Sequence, residues 1–372
     1  MTPISKNIVL LPGDGIGPEV IGAAVQLLSD CAAEFGHRFE MAEFPAGGNA
    51  IDAFGTPLPA ETLDACRAAD AVLLGAVGGP RWDELPVGKR PESGLLGLRK
   101  GLELYANVRP VRLREPLRNI SPLKASRATK IDLEIVRELA GGIYFGARRI
   151  EQLEGGASRA EDTESYSTGE IERIARYAFA RAESRSKHLS SVDKANVLAS
   201  SALWRKTVAD LAADYPAVTL DHLYVDNAAM QLVLRPQQFD VILASNMFGD
   251  ILSDAAAGLA GSIGLIPSMS CGSGPPLYEP IHGSAPTLAG KDRACPIGAV
   301  LCVSMMLRES FDLPMEADCI ESAVDRVLAR GFRTPDIAEA GSQVVSCTRL
   351  VASIRAEMQA AVEHLERYGW GV

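Results

Sequence analysis

The sequence predicts an α/β protein with two domains. Its 372 residues are more than one typical hydrophobic core holds, so two cores are expected. Short apolar runs typical of buried strands, such as residues 6–11 (KNIVLL) and 69–78 (ADAVLLGAVG), lead directly into glycine-rich turns. Apolar residues at helical spacing follow the first of these turns. An order of strand, loop and helix favours the α/β class.

Composition and charge narrow the class of protein. The net charge is −10, whereas a nucleic-acid-binding surface normally carries a basic excess, so no nucleic-acid partner is expected. The seven cysteines include no CxxC pair and are odd in number, which argues against a zinc site or a disulfide framework and for a reducing compartment. The sequence has neither a signal-peptide pattern nor an apolar stretch long enough to span a bilayer. These features predict a soluble, cytoplasmic protein with no membrane partner.

The first glycine-rich loop, LPGDGIGPE, follows the first predicted strand. Such a loop can bring backbone N–H groups to a phosphate. Its glycines, Gly13, Gly15 and Gly17, are not spaced as GxGxxG, so the loop is not a Rossmann fingerprint. A tight turn that needs positive φ explains the glycines equally well. Pro18 then predicts the start of a helix, because its missing N–H would have been unpaired in the first turn.

The middle of the chain alternates helical and polar segments. Residues 133–146 (LEIVRELAGGIYFG) are interpreted as a helix carrying Arg137, a Gly-Gly break and then Tyr144, whose hydroxyl could face a cleft or pack at the surface. Residues 150–167 are polar, which predicts an exposed loop or hairpin that could reach a partner subunit. The next helix is expected to begin with Thr168 as its N-cap.

Two further predicted strands lead to charged residues. Residues 188–193 (HLSSVD) place Lys194 at the junction with the next helix. Residues 218–225 (VTLDHLYV) end beside Asp226, for which the N-cap position of the following helix is a sufficient explanation. The remaining predicted segments are a Gly/Pro-rich loop at 270–276, a small-residue loop at 282–285, a helix opened by Pro296, and helices near 316–330 and 347–368.

Residues 241–264 (VILASNMFGDILSDAAAGLAGSIG) change from an apolar run to a small-residue helix. Asp250 and Asp254 lie four residues apart on that helix, so both carboxylates project from one face. Two such carboxylates repel each other unless a cation lies between them, and a divalent cation that prefers oxygen ligands is the natural candidate. Solvated surface acids are the alternative. The apolar and small flanking residues argue against it.

A second set of candidate residues is positively charged. Arg90, Arg99 and Arg109 are separated by about ten residues, and Leu95 and Leu96 lie between them. Guanidinium groups pair with carboxylates in a bidentate manner, so these arginines could converge on one small acid, while the leucines accept an alkyl group. Arginines on a helix surface are the alternative.

Several long motifs now occur in order along the chain. They are LLPGDGIGPEV, GAVGGPRWDELPVGKRPESGLLGLRKGLELYANVRP, RELAGGIYFG, SVDKANVL, YVDNAAMQLV, NMFGDILSD and LYEPIHGSAP. Together they resemble the isocitrate/isopropylmalate dehydrogenase family of β-decarboxylating dehydrogenases. The likeness runs from about residue 6 to the C-terminus.

The resemblance implies a two-domain isopropylmalate dehydrogenase-like fold that is not a Rossmann fold. The first domain would be discontinuous, with residues 1–104 plus 261–372 on the cofactor side. Residues 105–260 would form the second domain, which carries the metal site, the dimer interface and an arm to the partner. The implied assembly is a homodimer whose active sites are shared between subunits.

The resemblance also implies roles for particular residues. Tyr144 would protonate the enol product, and Lys194 and Asp226 would come from the partner subunit, with Lys194 taking the proton of the substrate hydroxyl. Mg²⁺ or Mn²⁺ would be held by Asp226, Asp250 and Asp254. The substrate carboxylates would be bound by Arg99, Arg109 and Arg137, and the alkyl group would lie near Leu95, Leu96 and Val197. The implied cofactor is NAD, with contacts from Ile16, Glu92, Glu279, His282, Gly283, Ser284, Ala285, Thr287 and Cys295.

Two positions depart from the pattern of the NAD-using members. These usually carry Asp where this chain has Thr287, and Asn where it has Cys295. Loss of that acid lowers the electrostatic barrier to a 2′-phosphate, which Lys291 or Arg293 could reach. The NADP-using relatives typically carry a basic residue at the position of Thr287. NAD is therefore expected, and NADP stays open.

The implied activity is oxidative decarboxylation of 3-isopropylmalate, a step of leucine biosynthesis. Alternatives are the same reaction on another 3-substituted malate, tartrate, homoisocitrate or isocitrate. Leu95 and Leu96 favour an aliphatic substituent, because they offer no hydrogen bond to a third carboxylate. A non-catalytic relative would have lost some of the chemical residues, and all are present. A Mg²⁺-dependent phosphotransferase would need a GxxxxGK[ST] loop, which the sequence lacks.

Overall fold

The computed structural model describes residues 2–368, with side chains for residues 2–363. The chain forms two compact units. Unit 1 contains the residues up to Leu104, the segment Leu113–Pro122 and the residues from Ala257 onward, and unit 2 contains Tyr105–Arg112 and Leu123–Ala256. The domain boundaries drawn from the sequence, 104/105 and 260/261, stay a prediction. Residues 1 and 369–372, the ends of the first predicted domain, lie outside the described residues.

Strands and helices alternate along much of the chain. The strands are β1 Ser5–Gly13, β2 Arg38–Glu43, β3 Ala71–Ala76, β4 Leu104–Arg112, β5 Asp132–Glu138, β6 Arg148–Gln152, β7 Ser158–Asp162, β8 His188–Asp193, β9 Thr219–Tyr224, β10 Val241–Ala244, β11 Pro267–Gly272, β12 Leu277–Pro280, β13 Phe332–Arg333 and β14 Gln343–Val344. The helices are α1 Gly17–Phe35, α2 Gly48–Phe54, α3 Ala60–Ala68, α4 Pro91–Gly101, α5 Thr168–Ser184, α6 Ala199–Leu211, α7 Val225–Leu234, α8 Asn246–Leu259, α9 Ile297–Ser310, α10 Pro314–Ala329 and α11 Cys347–Tyr368.

Unit 1 is built on the strands β2-β1-β3-β12-β11. Neighbouring strands run parallel from β2 to β12, and β11 is antiparallel to β12. The apolar run of β1 and the whole of β3 are buried, as expected for parallel strands covered on both faces. Helix α9 is buried along nearly its full length and packs against α1, α10 and the strands β11 and β12. This unit therefore has a core of its own.

The glycines of the first loop are required by the backbone and by a close approach. Gly13 and Gly15 have φ of 72° and 60°, values that side-chain-bearing residues rarely adopt. A Cβ atom on Gly15 would lie 2.0 Å from the carbonyl oxygen of Ser284. The Ile16 N–H donates to that same oxygen over 2.8 Å. The loop before α1 and the loop after His282 are thus held together within unit 1.

Unit 2 is built on the strands β4-β5-β10-β8-β9. β4 and β5 are antiparallel, and the pairs β5–β10, β10–β8 and β8–β9 are parallel. Helices α5 and α6 pack against each other and against this sheet. β6 and β7 form an antiparallel hairpin that is exposed along almost its whole length, which confirms the predicted hairpin.

The structure corrects one element that matters for the site. The sequence pattern predicts a helix carrying Arg137 within residues 133–146, but β5 occupies Asp132–Glu138. The charged residues of this segment do not follow the pattern expected of a buried strand, although the strand is buried between β4 and β10. Glu134, for example, is buried but paired with Arg181 over 2.7 Å. Tertiary ion pairs thus allow charges where the sequence pattern indicates a solvent-facing helix.

Three smaller corrections concern element ends. The N-cap of α5 is Ser167, not Thr168, because Ser167 and Glu170 form a reciprocal capping box. Asp226 is not an N-cap: α7 begins at Val225 with Tyr224 in the cap position. The predicted loop at 270–276 is partly strand, since β11 continues to Gly272. The strand at 188–193 and the helix at 347–368 are confirmed.

Candidate active site

Adjacent elements of unit 2 bring five of the predicted residues together. Arg109 lies on β4 and Arg137 on the neighbouring strand β5. Asp250 and Asp254 lie on α8, which begins two residues after β10, the other neighbour of β5. Tyr144 follows the turn after β5, and its hydroxyl reaches Asp250. The strand pairing therefore gathers residues that are far apart in sequence.

Both arginines are buried and directed at the acids of α8. The Nη1 of Arg109 lies 3.2 Å from Asp254 Oδ1 and 3.4 Å from Asp250 Oδ1, and it donates to Ser253 Oγ over 2.7 Å. Arg137 forms an ion pair with Asp250 through its own Nη1. The two guanidinium groups thus hold positive charge beside two carboxylates.

Tyr144 is protonated in this setting. Its hydroxyl donates to Asp250 Oδ2 over 3.1 Å, and the Arg137 guanidinium lies 5.7 Å from its ring centroid. Partial burial and the neighbouring Asp250 charge raise the pKa of Tyr144, although Arg137 opposes them. The phenol therefore keeps its proton at neutral pH and can act as a proton donor.

The acid pair on α8 fits a divalent cation. The side chains of Asp250 and Asp254 are 32% and 56% exposed, so their oxygens are accessible from solvent. Desolvation and the like charge of Asp250 raise the pKa of Asp254, while Arg109 lowers it. A cation between the two carboxylates would remove this repulsion, and carboxylate oxygens are the ligands that Mg²⁺ and Mn²⁺ prefer.

Lys194 and Asp226 form a separate pair within unit 2. The Lys194 Nζ lies 2.8 Å from Asp226 Oδ1, just beyond the neighbouring parallel strands β8 and β9. The hydrogen bond from Lys194 is the largest cause that lowers the pKa of Asp226. Asp193 fixes the turn before this pair, because it accepts from the Ala195 N–H over 2.9 Å and pairs with Arg205. Val197, three residues after Lys194, is exposed.

The structure does not gather the predicted metal triad within one chain. Among the described residues, the group of three Asp, Glu, His or Cys side chains whose ligand atoms lie within 4.8 Å of one another is Glu19, Asp292 and Cys347. That group serves structure: Glu19 accepts from the Ala294 N–H, and Asp292 accepts from the Thr348 N–H at the start of α11. In the described residues, Asp226 is therefore not gathered into one such group with Asp250 and Asp254.

Unit 1 contains the remaining predicted substrate residues. Arg99 and Glu279 are buried and paired, with Arg99 Nη2 2.6 Å from Glu279 Oε1. Leu95 and Leu96 are half-buried on α4, and Leu95 packs partly against the core beside β1 and β3. Glu92, in the first turn of α4, is exposed. Glu279 thus already neutralises the charge of Arg99.

The loop after β12 has the polar character of a ligand cradle. The Nδ1 of His282 lies 3.0 Å from the Gly283 carbonyl oxygen, so a neutral ring donates from Nδ1, while the buried Nε2 has no protein partner. Ala285 has φ of 38°, and a Cβ on Gly283 would meet no atom within 4 Å. Thr287, Lys291 and Arg293 are exposed, whereas Cys295 is buried. The buried Nε2 of His282 is an acceptor without a protein partner, and there is free space next to the backbone at Gly283. Both features fit a cofactor that carries a hydrogen-bond donor.

The lowered pKa of His282 predicts that the folded protein loses stability in acid. Burial lowers the pKa of His282 below its usual value near 6.5, so the unfolded chain binds this proton more readily than the folded chain. The free energy of unfolding should therefore fall as pH drops below about 6.5. Melting temperatures at pH 7.5 and 5.5 check this, because a His282→Gln variant should lose less stability between the two values. Equal losses in both proteins would contradict it.

Residues missed by the sequence reasoning support the predicted ones. Asn107 accepts from Arg109 Nε over 2.7 Å, and Asn246 accepts from Arg137 at two nitrogens. Asp193 and Arg205 stabilise the turn that presents Lys194. Asn246 and Asp193 lie within the motifs NMFGDILSD and SVDKANVL, which also contain predicted site residues. That proximity in sequence is the one feature that could have indicated a supporting role for them.

Comparison with known proteins defines the class. The family model for isocitrate/isopropylmalate dehydrogenase matches residues 7–354. A 3-isopropylmalate dehydrogenase of Halalkalibacterium halodurans is 53% identical over 361 residues, which cover 97% of this chain and 99% of the relative. One from Nitratidesulfovibrio vulgaris is 55% identical over 341 residues, covering 91% and 96%.

Solved structures agree with the sequence matches. An isocitrate dehydrogenase from Methylococcus capsulatus superposes with a TM-score of 0.84 at 34% identity, covering 95% of this chain and 99% of that one. A β-decarboxylating dehydrogenase from Thermococcus kodakarensis, in its apo form, gives 0.80 at 36% identity and covers 99% of each chain. The fold and the matches thus define a dehydrogenase of the β-decarboxylating class.

The chain belongs to the isocitrate/isopropylmalate dehydrogenase family. This confirms the predicted family resemblance and the predicted α/β fold class. Within the described residues, no helix has both the length and the apolar character needed to cross a membrane.

Proposed function

We propose that this chain catalyses the metal-dependent oxidative decarboxylation of 3-isopropylmalate to 2-oxo-4-methylpentanoate with NAD, in the leucine pathway of the cytoplasm. The observation that carries the proposal is the convergence of Arg109, Arg137 and Tyr144 on Asp250. Relatives named 3-isopropylmalate dehydrogenase, similar over nearly the full length, support the choice of substrate.

The arginines bind and orient the substrate in this proposal. Arg109 and Arg137 are buried, so their guanidinium groups interact with an anion in surroundings of reduced dielectric. In the structure, the carboxylates of Asp250 and Asp254 use part of the hydrogen-bonding capacity of these two arginines. A malate carboxylate would take over that role, which allows the two aspartates to turn toward a cation.

Mg²⁺ or Mn²⁺ bound to Asp250 and Asp254 would act as a Lewis acid on the substrate oxygens. Lys194 would take the proton from the C2 hydroxyl, and NAD, when bound, would supply the acceptor for the hydride of C2. Loss of CO₂ would then leave an enolate, and Tyr144, whose phenol is protonated at neutral pH, would protonate it. Overall, each substrate would give one CO₂ and one NADH, and the proton that Lys194 takes from the hydroxyl would offset the proton that Tyr144 gives to the enolate.

A homodimer with shared active sites completes the proposal. Lys194 and Asp226 are paired with each other and are not gathered with Asp250 and Asp254 in the described residues of one chain. The helices that carry Asp226 and Asp250 expose large apolar side chains, namely Met230 at 50%, Val233 at 51% and Ile251 at 57%. Exposed apolar residues on helices suit a subunit interface, through which a partner would supply Lys194 and Asp226.

Unit 1 would supply the alkyl pocket and the cofactor site. Leu95 and Leu96 offer apolar surface without hydrogen bonds, and Arg99 would bind a carboxylate once released from Glu279. The unpaired Nε2 of His282 would accept from the cofactor, beside Ile16, Gly283, Ser284 and Ala285. NAD is proposed because Thr287 adds no positive charge for a 2′-phosphate, although the exposed Lys291 and Arg293 lie close by in sequence.

Initial rates with a panel of substrates test the proposal. Reduction of cofactor would be followed at 340 nm with Mg²⁺, with NAD and NADP side by side. 3-Isopropylmalate with NAD should give the highest kcat/KM, because isocitrate would place a third carboxylate against Leu95 and Leu96. A higher value with isocitrate, homoisocitrate or tartrate would overturn the substrate assignment, and a preference for NADP would overturn the cofactor assignment.

Replacement of Asp250 by asparagine is predicted to weaken metal binding and lower activity. The variant keeps the shape of the side chain but removes a charged ligand, so the Kd for Mn²⁺ should rise by at least about tenfold. Calorimetric titration with Mn²⁺ measures this directly. Asp210→Asn is the matched control, because Asp210 is an exposed acid paired with Lys206. Unchanged Mn²⁺ affinity, or full activity of wild type in EDTA, would contradict the metal site.

A further inference from the structure

We propose that Asn246 is a positioning residue that holds both Arg137 and the turn before Tyr144 in their working arrangement. The inference rests on the proposed function, because it acts through residues assigned there to substrate binding and proton donation. Asn246 is buried at the first residue of α8. Its side chain joins β5, the turn that follows it and the helix that carries Asp250.

The amide oxygen of Asn246 fixes the guanidinium of Arg137. Arg137 donates from Nε over 3.1 Å and from Nη2 over 2.9 Å to the same Oδ1 atom. This edge-on contact sets the plane of the guanidinium and directs its Nη1 at Asp250. Gly249 allows the helix to approach, since a Cβ there would lie 2.7 Å from the Cβ of Arg137. The Asn246 amide thus contributes to the direction of Arg137, which also pairs with Asp250.

The amide nitrogen of Asn246 fixes the turn that leads to Tyr144. Its Nδ2 donates to the Gly141 carbonyl oxygen over 3.0 Å. The same turn is held from the other side by Glu138, whose carboxylate accepts from the Ala140 and Gly141 N–H groups, each over 2.8 Å. Movement of this turn would move Tyr144, which lies three residues after Gly141.

A tyrosine anchors Asn246 itself. The backbone N–H of Asn246 donates to the Tyr166 hydroxyl oxygen over 2.9 Å, and that hydroxyl also bonds to the Glu138 side chain. Glycines at 141 and 142 leave room for the ring, because a Cβ on Gly142 would lie 2.4 Å from the Tyr166 hydroxyl. Glu138, Tyr166, Asn246 and Gly141 therefore form a closed hydrogen-bonded ring, in which Tyr166 is half-buried and the other three residues are buried.

The chemistry of asparagine suits this position. One side-chain atom must accept two N–H bonds from a cation, and the other must donate to a carbonyl. Aspartate retains the acceptor but has no donor for Gly141. Alanine has neither group. The two variants therefore separate the effect on Arg137 from the effect on the turn.

Steady-state kinetics with 3-isopropylmalate test whether the two variants separate the effect on Arg137 from the effect on the turn. Asn246→Asp should lower kcat by on the order of tenfold and change KM by less than about threefold, because Arg137 stays held while the turn loosens. Asn246→Ala should lower kcat similarly and raise KM by about tenfold to a hundredfold, because both contacts are lost. Asn119→Asp, at an exposed asparagine, is the matched control and should match wild type.

A spectroscopic measurement tests the contact between Asn246 and Arg137 without relying on enzyme activity. The Nε–H signal of Arg137, assigned by its loss in Arg137→Lys, should be protected from exchange in wild type and in Asn246→Asp but not in Asn246→Ala. Wild-type kinetic constants in both Asn246 variants, parallel losses without the KM difference, or a protected signal in Asn246→Ala would each overturn the positioning role. If wild type turns over no 3-isopropylmalate while the signal behaves as expected, the proposed function fails and the role in holding Arg137 stands.

Discussion

Replacing Tyr144 with phenylalanine is expected to lower steady-state turnover of 3-isopropylmalate by about 10²- to 10⁴-fold, the usual range for a lost general acid. Hydride transfer should persist, because the proposed role of Tyr144 comes after it, whereas decarboxylation and protonation should be impaired. Rapid mixing would separate the two: a first turnover of NADH followed by a slow steady state is expected.

Tyr215→Phe is the matched control for this experiment. Tyr215 stacks on Phe179, with ring centroids 4.6 Å apart, and takes no part in the Asp250 cluster. It should retain wild-type turnover. Unchanged steady-state turnover in Tyr144→Phe would show that the proton comes from another group.

Replacing Lys194 with methionine is expected to reduce kcat by a similar 10²- to 10⁴-fold, because it removes the proposed base for the hydroxyl proton. The apolar stem of the side chain is largely retained, so folding should be preserved. Lys206→Met is the matched control, since Lys206 is an exposed lysine paired with Asp210. Initial rates at saturating 3-isopropylmalate measure the effect, and a near-normal kcat would contradict the role of Lys194.

Mixed dimers of the Lys194→Met and Tyr144→Phe chains test whether active sites are shared. If Lys194 serves the partner's site, one of the two sites in a mixed dimer is intact. Random reassociation of equal amounts should then recover about a quarter of wild-type activity from two nearly inactive proteins, since half of the dimers are mixed and each has one intact site. No recovery, with mixed dimers demonstrated by mass, would contradict the shared site.

The predictable parts of the site are those set by local sequence. Asp250 and Asp254 lie on one helix, as the four-residue spacing indicates, and Lys194 follows the strand predicted at residues 188–193. The wrong helix at Arg137 has a physical cause. Its neighbours Glu134 and Glu138 are buried, but their charges are satisfied by Arg181 and by backbone N–H groups that no local pattern reveals.

The remaining features depend on tertiary pairing. Nothing in the spacing of Arg109 and Arg137 indicates that both contact the acids of α8, because the contact follows from the order β4-β5-β10. Asn246 contacts Arg137, and Arg205 contacts Asp193, and neither pair consists of neighbours in the sequence. The family resemblance implies which residues carry the chemistry, whereas the residues that hold them in place are visible only in the three-dimensional arrangement.

The most direct measurement is the ratio of CO₂ released to NADH formed when the purified protein is given 3-isopropylmalate, NAD and Mg²⁺. Metal-dependent oxidative decarboxylation predicts one CO₂ for each NADH, with both products lost in EDTA and restored by added Mg²⁺ or Mn²⁺. NADH without CO₂, a full rate in the presence of EDTA, or no NADH at all would contradict the proposed reaction.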